Sequence, residues 1–92
     1  MPLERAALER LLRQLGFESR EGHHRVYVLR WQGRTLAQAS ISRGTGWRTL
    51  ADNMVADIAR DIHIDRQFLM DLVSGKRSRE DYLARLREQG IL

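Results

Sequence analysis

Residues 25–41 read RVYVLRWQGRTLAQASI, and this run decides the fold. Arg25 to Trp31 is dense in β-branched and aromatic side chains, which fit a pleated surface better than a helix. Gln32-Gly33 is a two-residue turn signal, and Thr35 to Ile41 resumes with small and branched residues. A β-hairpin follows. With a short strand near Glu18–Glu21 in front of it, the segment becomes a three-stranded meander. Alternation sets Val26 and Val28 on one face and Tyr27, Leu29 and Trp31 on the other. Both faces are partly apolar, so parity does not say which one meets the rest of the chain.

Outward from the hairpin the period becomes helical. On the N-terminal side Leu3, Ala7, Leu8, Leu11, Leu12 and Leu15 recur at helical spacing over residues 3–15. Pro2 suits the start of that helix, Gly16 its left-handed stop, and Phe17 can pack back onto Leu12. On the C-terminal side Thr49 with Asp52 is a plausible capping pair for a second helix whose stripe is Leu50, Ala51, Met54, Val55, Ile58 and Ile62. Asp65 caps a third helix with Phe68, Leu69, Leu72 and Val73 inward and Gly75 as its stop. Ser78 with Asp81 caps a fourth, with Tyr82, Leu83 and Leu86 inward and Gly90 at its end. The expected order is α-β-β-β-α-α-α, an α+β domain with helices covering one face of a small three-stranded antiparallel sheet.

Ninety-two residues make one domain, and a core this small commits most apolar side chains to itself. The chain has no cysteine, which excludes disulfides and thiolate metal sites and suits a reducing cytosol. No apolar run approaches the roughly 20 residues of a membrane span, and the acidic, helical N-terminus does not resemble a signal peptide. A soluble, cytoplasmic protein is expected, with no membrane partner.

The net charge of +4 hides an asymmetry. Residues 1–50 hold nine Arg and four Glu, whereas residues 51–92 hold seven Lys/Arg and eight Asp/Glu. From Gly22 to Ala51 thirty residues pass without a carboxylate, and they include Arg25, Arg30, Arg34, Arg43 and Arg48. His23, His24, Tyr27, Trp31 and Trp47 lie in the same window. Such a surface repels no polyanion, and its flat side chains can stack on bases, so nucleic acid is the expected partner.

Three groups of residues carry candidate chemistry. His23 and His24 are adjacent, so on a strand their imidazoles point to opposite faces and do not share a metal ion; no metal and no cofactor are expected. A histidine among arginines suits general acid–base work at a phosphate, taking a proton from a ribose 2′-OH while guanidinium groups hold the charge. The plain alternative is a solvated turn. The segment Arg43-Gly44-Thr45-Gly46-Trp47-Arg48 is either a phosphate-holding loop ahead of a helix or a simple connector. Trp31 and Trp47 are either stacking surfaces or core. Residues 55–77 contain a third candidate, a helix-turn-helix with small Ala59, a turn at His63 and apolar Leu69 and Leu72. That turn usually holds glycine, and the would-be recognition helix exposes Asp65 and Asp71, so DNA is the less favoured partner.

The run Leu15-Gly16-Phe17, then Gly22-His23-His24-Arg25-Val26-Tyr27, the Gly33 turn and Ile41-Ser42-Arg43-Gly44 resembles HicA-type toxins over about 60 residues. These are small RNA-cleaving proteins with a double-stranded-RNA-binding-domain-like fold. They carry Gly-Ser-His, then two residues and an aromatic. Aligned on Tyr27, the pattern puts the family's catalytic histidine at His24 and replaces its serine by His23. Arg43 stands where the family often has a second histidine, and residues 63–92 form an extension beyond a HicA-like part at 1–62. The resemblance implies a metal-independent endoribonuclease acting on single-stranded RNA or mRNA, with a cognate antitoxin as protein partner. His24 would be its catalytic group, His23 an assistant, and Arg25, Arg30, Arg34, Arg43, Arg48, Trp31 and Trp47 would hold RNA. The alternative is a nucleic-acid-binding regulator without catalysis, using the basic sheet face or the helix-turn-helix.

Overall fold

The computed structural model describes residues 3–20, 24–42 and 49–92, and the side chains of all of these except His24 and Ser42. The chain runs β1 (Leu3–Glu4), α1 (Arg5–Gln14), β2 (Glu18–Arg20), β3 (His24–Trp31), β4 (Arg34–Ser42), β5 (Thr49–Leu50), α2 (Asp52–Asp61), α3 (Arg66–Ser74) and α4 (Arg79–Glu88). It is an α+β fold with four helices and a three-stranded antiparallel sheet in the order β2-β3-β4.

Two short strands were not anticipated. Leu3 pairs with Leu50 and Glu4 with Thr49, clipping the start of α1 to the approach of α2. Two expectations shift in consequence. Leu3 lies in a strand, and α1 begins at Arg5. Thr49 is held in the ladder, so Ala51 occupies the N-cap of α2, and no side chain caps that helix. Pro2 lies outside the described residues.

The other helix ends form as their sequences dictate. At the end of α1 the Phe17 amide bonds the Leu12 carbonyl at 2.9 Å and the Gly16 amide bonds Arg13 at 3.1 Å. This paired closure needs a left-handed residue, and Gly16 sits at φ +101°. The Asp65 carboxylate accepts from the Phe68 amide at 2.7 Å. Ser78 and Asp81 complete a reciprocal capping box.

The hairpin turn lies at Gln32-Gly33, both with positive φ, the geometry whose twist matches a two-residue connection. The ladder runs from His24↔Ser42 to Leu29↔Ala37, then shifts to Arg30↔Thr35, leaving Leu36 as an extra residue on β4. Tyr27, Leu29, Ala37, Ala39 and Ile41 are buried on the face that meets the helices. Val26 and Val28 therefore belong to the open face. Val28 is only 4% exposed even there, since the central strand sets it between Glu18 and Gln38 in register.

One core joins all the helices. Leu8 and Leu12 of α1, Ile58 of α2, Leu69 of α3 and Tyr82 and Leu86 of α4 belong to a single apolar cluster with the sheet residues. The C-terminal helices are thus integral to the fold. The buried Tyr82 hydroxyl donates to the Ile62 carbonyl at 3.1 Å, and the Gln89 amide donates to the His63 carbonyl at 2.9 Å. Both contacts tie α4 to the turn between α2 and α3.

Candidate nucleic-acid interface

The sheet sorts the candidate residues into two groups at opposite ends of the hairpin. At one end His24 is the register partner of Ser42. The chain therefore enters and leaves segments 21–23 and 43–48 from neighbouring positions on one edge of the fold. His24 has the strand parity of Val26 and Val28, which is that of the open face. His23, Arg43, Trp47 and Arg48 lie outside the described residues, as does the His24 side chain.

At the other end are Arg30, Trp31 and Arg34. Seven residue steps separate His24 from Trp31, roughly 23 Å at strand rise. Trp31 is 45% exposed, the one large apolar side chain so placed among the described residues. It pairs in register with Arg34, so an indole and a guanidinium share a face at the hairpin tip. Arg30 has the opposite parity; it is exposed and donates to the Gly33 carbonyl at 3.4 Å.

Arg25 has a different setting from the other arginines. Its parity is that of Tyr27, which directs it toward α1, and its Nη1 donates to Glu9 Oε1 at 2.9 Å. The Tyr27 hydroxyl donates to the same oxygen at 3.0 Å. The hydrogen bond and charge of Glu9 raise the Arg25 pKa above its ordinary value. Burial, followed by the Glu9 contact, raises that of Tyr27. The Arg13 guanidinium lies 5.8 Å from the Tyr27 ring centroid. A carboxylate sixteen positions away in sequence thus enters the acid-free window, and the resulting cluster fastens α1 to β3.

The open sheet face contains one arginine that the window overlooked. Arg20 pairs with Val26, and Val26 with Ser40. Arg20 is exposed on the same face as Arg30. It precedes Glu21 in sequence and so falls just outside the acid-free stretch; strand parity was the signal that could have found it. Glu18, opposite Val28, is the carboxylate of that face among the described residues. A strand of nucleic acid laid there would meet Arg20, Arg30, Val26 and the small polar Ser40 and Gln38.

In the helical half, His63 adopts φ +71°, the left-handed conformation that the tight turn of a helix-turn-helix requires. The His63 ring is held, with Nε2 3.0 Å from the Leu36 carbonyl. Arg66 at the start of α3 pairs with Asp52 at 3.0 Å, and Asp71 lies 3.6 Å from Arg77. The outward side of α3 is therefore charge-balanced rather than basic.

Among the described residues no three His, Cys, Asp or Glu side chains gather as a metal site. No helix among them is long and apolar enough to cross a membrane. No family model, no curated protein and no solved structure matches the chain.

Proposed function

We propose that this chain is an RNA-binding protein of the HicA toxin type, a metal-independent endoribonuclease acting on single-stranded RNA or mRNA in the cytoplasm. The observation that carries the reading is the register pairing of His24 with Ser42, beside a sheet face that no described helix covers. That pairing starts the histidine segment and the Arg43–Arg48 segment from one end of the sheet. The three-stranded antiparallel sheet β2-β3-β4 between α1 and α2, with the short β5 before α2, supports the double-stranded-RNA-binding-domain-like fold that the resemblance implies.

In this reading His24 takes the proton of a ribose 2′-OH, the freed oxygen attacks the adjacent phosphorus, and the bond to the 5′-oxygen breaks. The leaving oxygen needs a proton, which the imidazolium or His23 supplies, and arginines balance the charge of the phosphorane. Arg20 and Arg30 on the open face hold the RNA away from the reacting bond, and Arg34 and Trp31 meet it where it passes round the hairpin tip. A cognate antitoxin would restrain the activity by covering this face.

The test is cleavage of single-stranded RNA in EDTA. The full chain cuts, and His24→Ala abolishes cutting while far-UV circular dichroism is unchanged. Equal cleavage by the variant would remove His24 from the role assigned to it.

A second reading rests on the left-handed His63 at the α2–α3 turn. It is a non-catalytic regulator that binds DNA through α3. Substitutions at Arg66 and Lys76 would then weaken binding more than those at Arg30 and Arg34, and the log–log salt dependence would follow the helical residues.

A further inference from the structure

The two edges of the sheet differ. β2 is three residues long and carries Glu18 and Arg20, the kind of short, charged edge that discourages strand addition. β4 is nine residues long, and after Arg34 its eight residues Thr35 to Ser42 contain no charge and no proline. Its bulge at Leu36 disturbs only the end nearest the turn.

The direction of its backbone groups follows from burial. Ala37, Ala39 and Ile41 are almost wholly inaccessible, main chain included, so their amides and carbonyls turn inward to β3. Antiparallel alternation then turns those of Leu36, Gln38 and Ser40 outward. At the bulge the Leu36 carbonyl also lies outside the ladder and accepts from His63 Nε2 at 3.0 Å. Gln38 and Ser40 are exposed, and among the described residues no side chain and no backbone group outside the ladder bonds their main chain. Among the described residues, Gln38 and Ser40 thus keep unused main-chain donors and acceptors on an edge that His63 meets only at Leu36.

We propose that this edge pairs antiparallel with the β4 edge of a second copy of the chain, about a twofold axis at Ala39. Gln38 then exchanges backbone hydrogen bonds with Ser40 of the second copy, and Ser40 with its Gln38. Ala37 faces Ile41 of the second copy on the helix side, and on the open side the Gln38 amide faces the Ser40 hydroxyl. The edge is complementary to itself: it brings no like charges together, and antiparallel pairing sends the two Arg34 residues to opposite ends. An uncharged edge offers nothing to select a partner of opposite charge, which favours self-association over a foreign strand. The product is one continuous sheet with two open basic faces side by side. This contact is independent of any action on RNA.

Sedimentation equilibrium of the full chain from about 1 to about 200 μM is the test, because a reversible dimer dissociates on dilution. The expected mass approaches twice 10.7 kDa at the upper end. Ser40→Pro removes an outward amide without touching the β3 ladder and weakens the dimer by about tenfold or more. Gln38→Lys sets a charge against each edge and gives a monomer with unchanged circular dichroism, so it decides the matter if the proline variant misfolds. A wild-type chain that stays at single mass throughout overturns the proposal. So does a Gln38→Lys variant that dimerises as tightly as the wild type.

Discussion

Removing one oxygen, in Tyr82→Phe, tests how the C-terminal helix is bound to the rest of the fold. The ring lies in the core, 6.2 Å from the Phe17 ring, and the hydroxyl donates to the Ile62 carbonyl at the end of α2. The substitution keeps the ring packing and leaves that carbonyl unsatisfied in a site from which water is excluded. The cost is about 1–3 kcal/mol near neutral pH. For a domain of this size each kcal/mol moves the melting midpoint by about 4–8 °C, so the loss is measurable by thermal circular dichroism. The pH dependence is the sharper part. Burial raises the Tyr82 pKa well above its ordinary 10.0. The stability held by the neutral phenol is complete below that ordinary value and drains away as pH rises toward the folded-state value. In that interval the unfolded chain loses a proton that the folded one keeps, and wild-type stability falls by up to about 1.4 kcal/mol per pH unit. The Phe variant lacks this term, while Tyr27, whose pKa is also raised, is common to both proteins and cancels. Urea denaturation from pH 7 to about pH 12 should show the gap between the two closing or reversing above pH 10. A gap that stays constant over that range would mean the phenol ionises as readily folded as unfolded, and the account of its burial would fail.

Two further outcomes concern the α2–α3 turn and the hairpin tip. At His63, glycine relieves a left-handed backbone worth roughly 1 kcal/mol but loses the ring contact to Leu36 and gains unfolded-state freedom, so His63→Gly stays within about 1 kcal/mol of wild type in urea. His63→Ala loses the contact without the relief and falls by about 1–2 kcal/mol; equal losses in both would show that the backbone there is not strained. At the tip, Trp31→Ala costs about 1 kcal/mol, since only about half of the indole is covered. If Trp31 stacks on a base, single-stranded RNA affinity drops by about 1–3 kcal/mol in fluorescence titrations, and unchanged affinity would take it out of the interface.

Much of this protein could be read residue by residue. The Gly16, Gly75 and Gly90 helix stops, the Asp65 cap, the Ser78–Asp81 box and the Gln32-Gly33 turn formed as expected. Each is decided by groups within five positions of one another, so local pattern carries the whole interaction. The acid-free window was legible in the same way as a fact about composition. How its residues are shared between the two ends of the hairpin follows from the ladder.

Other features depend on pairings across the chain, which no local window contains. Which sheet face the helices cover was undecided by parity, because Val26 and Val28 are as apolar as Tyr27 and Leu29. Packing against α1 and α2 chose the latter face. Leu3 and Leu50, forty-seven positions apart, formed a clip that displaced the expected cap at Thr49, because ladder pairing took that residue first. Glu9 reached Arg25 only once α1 lay on the sheet, turning one arginine of the basic window into part of a clasp. The chain by itself determined the four helices, the three-stranded meander and the basic bias, since these rest on short-range propensity and charge count, but not the β1–β5 clip. Tertiary structure decided which arginines reach solvent and which strand edge stays bare, because both depend on what packs against each strand.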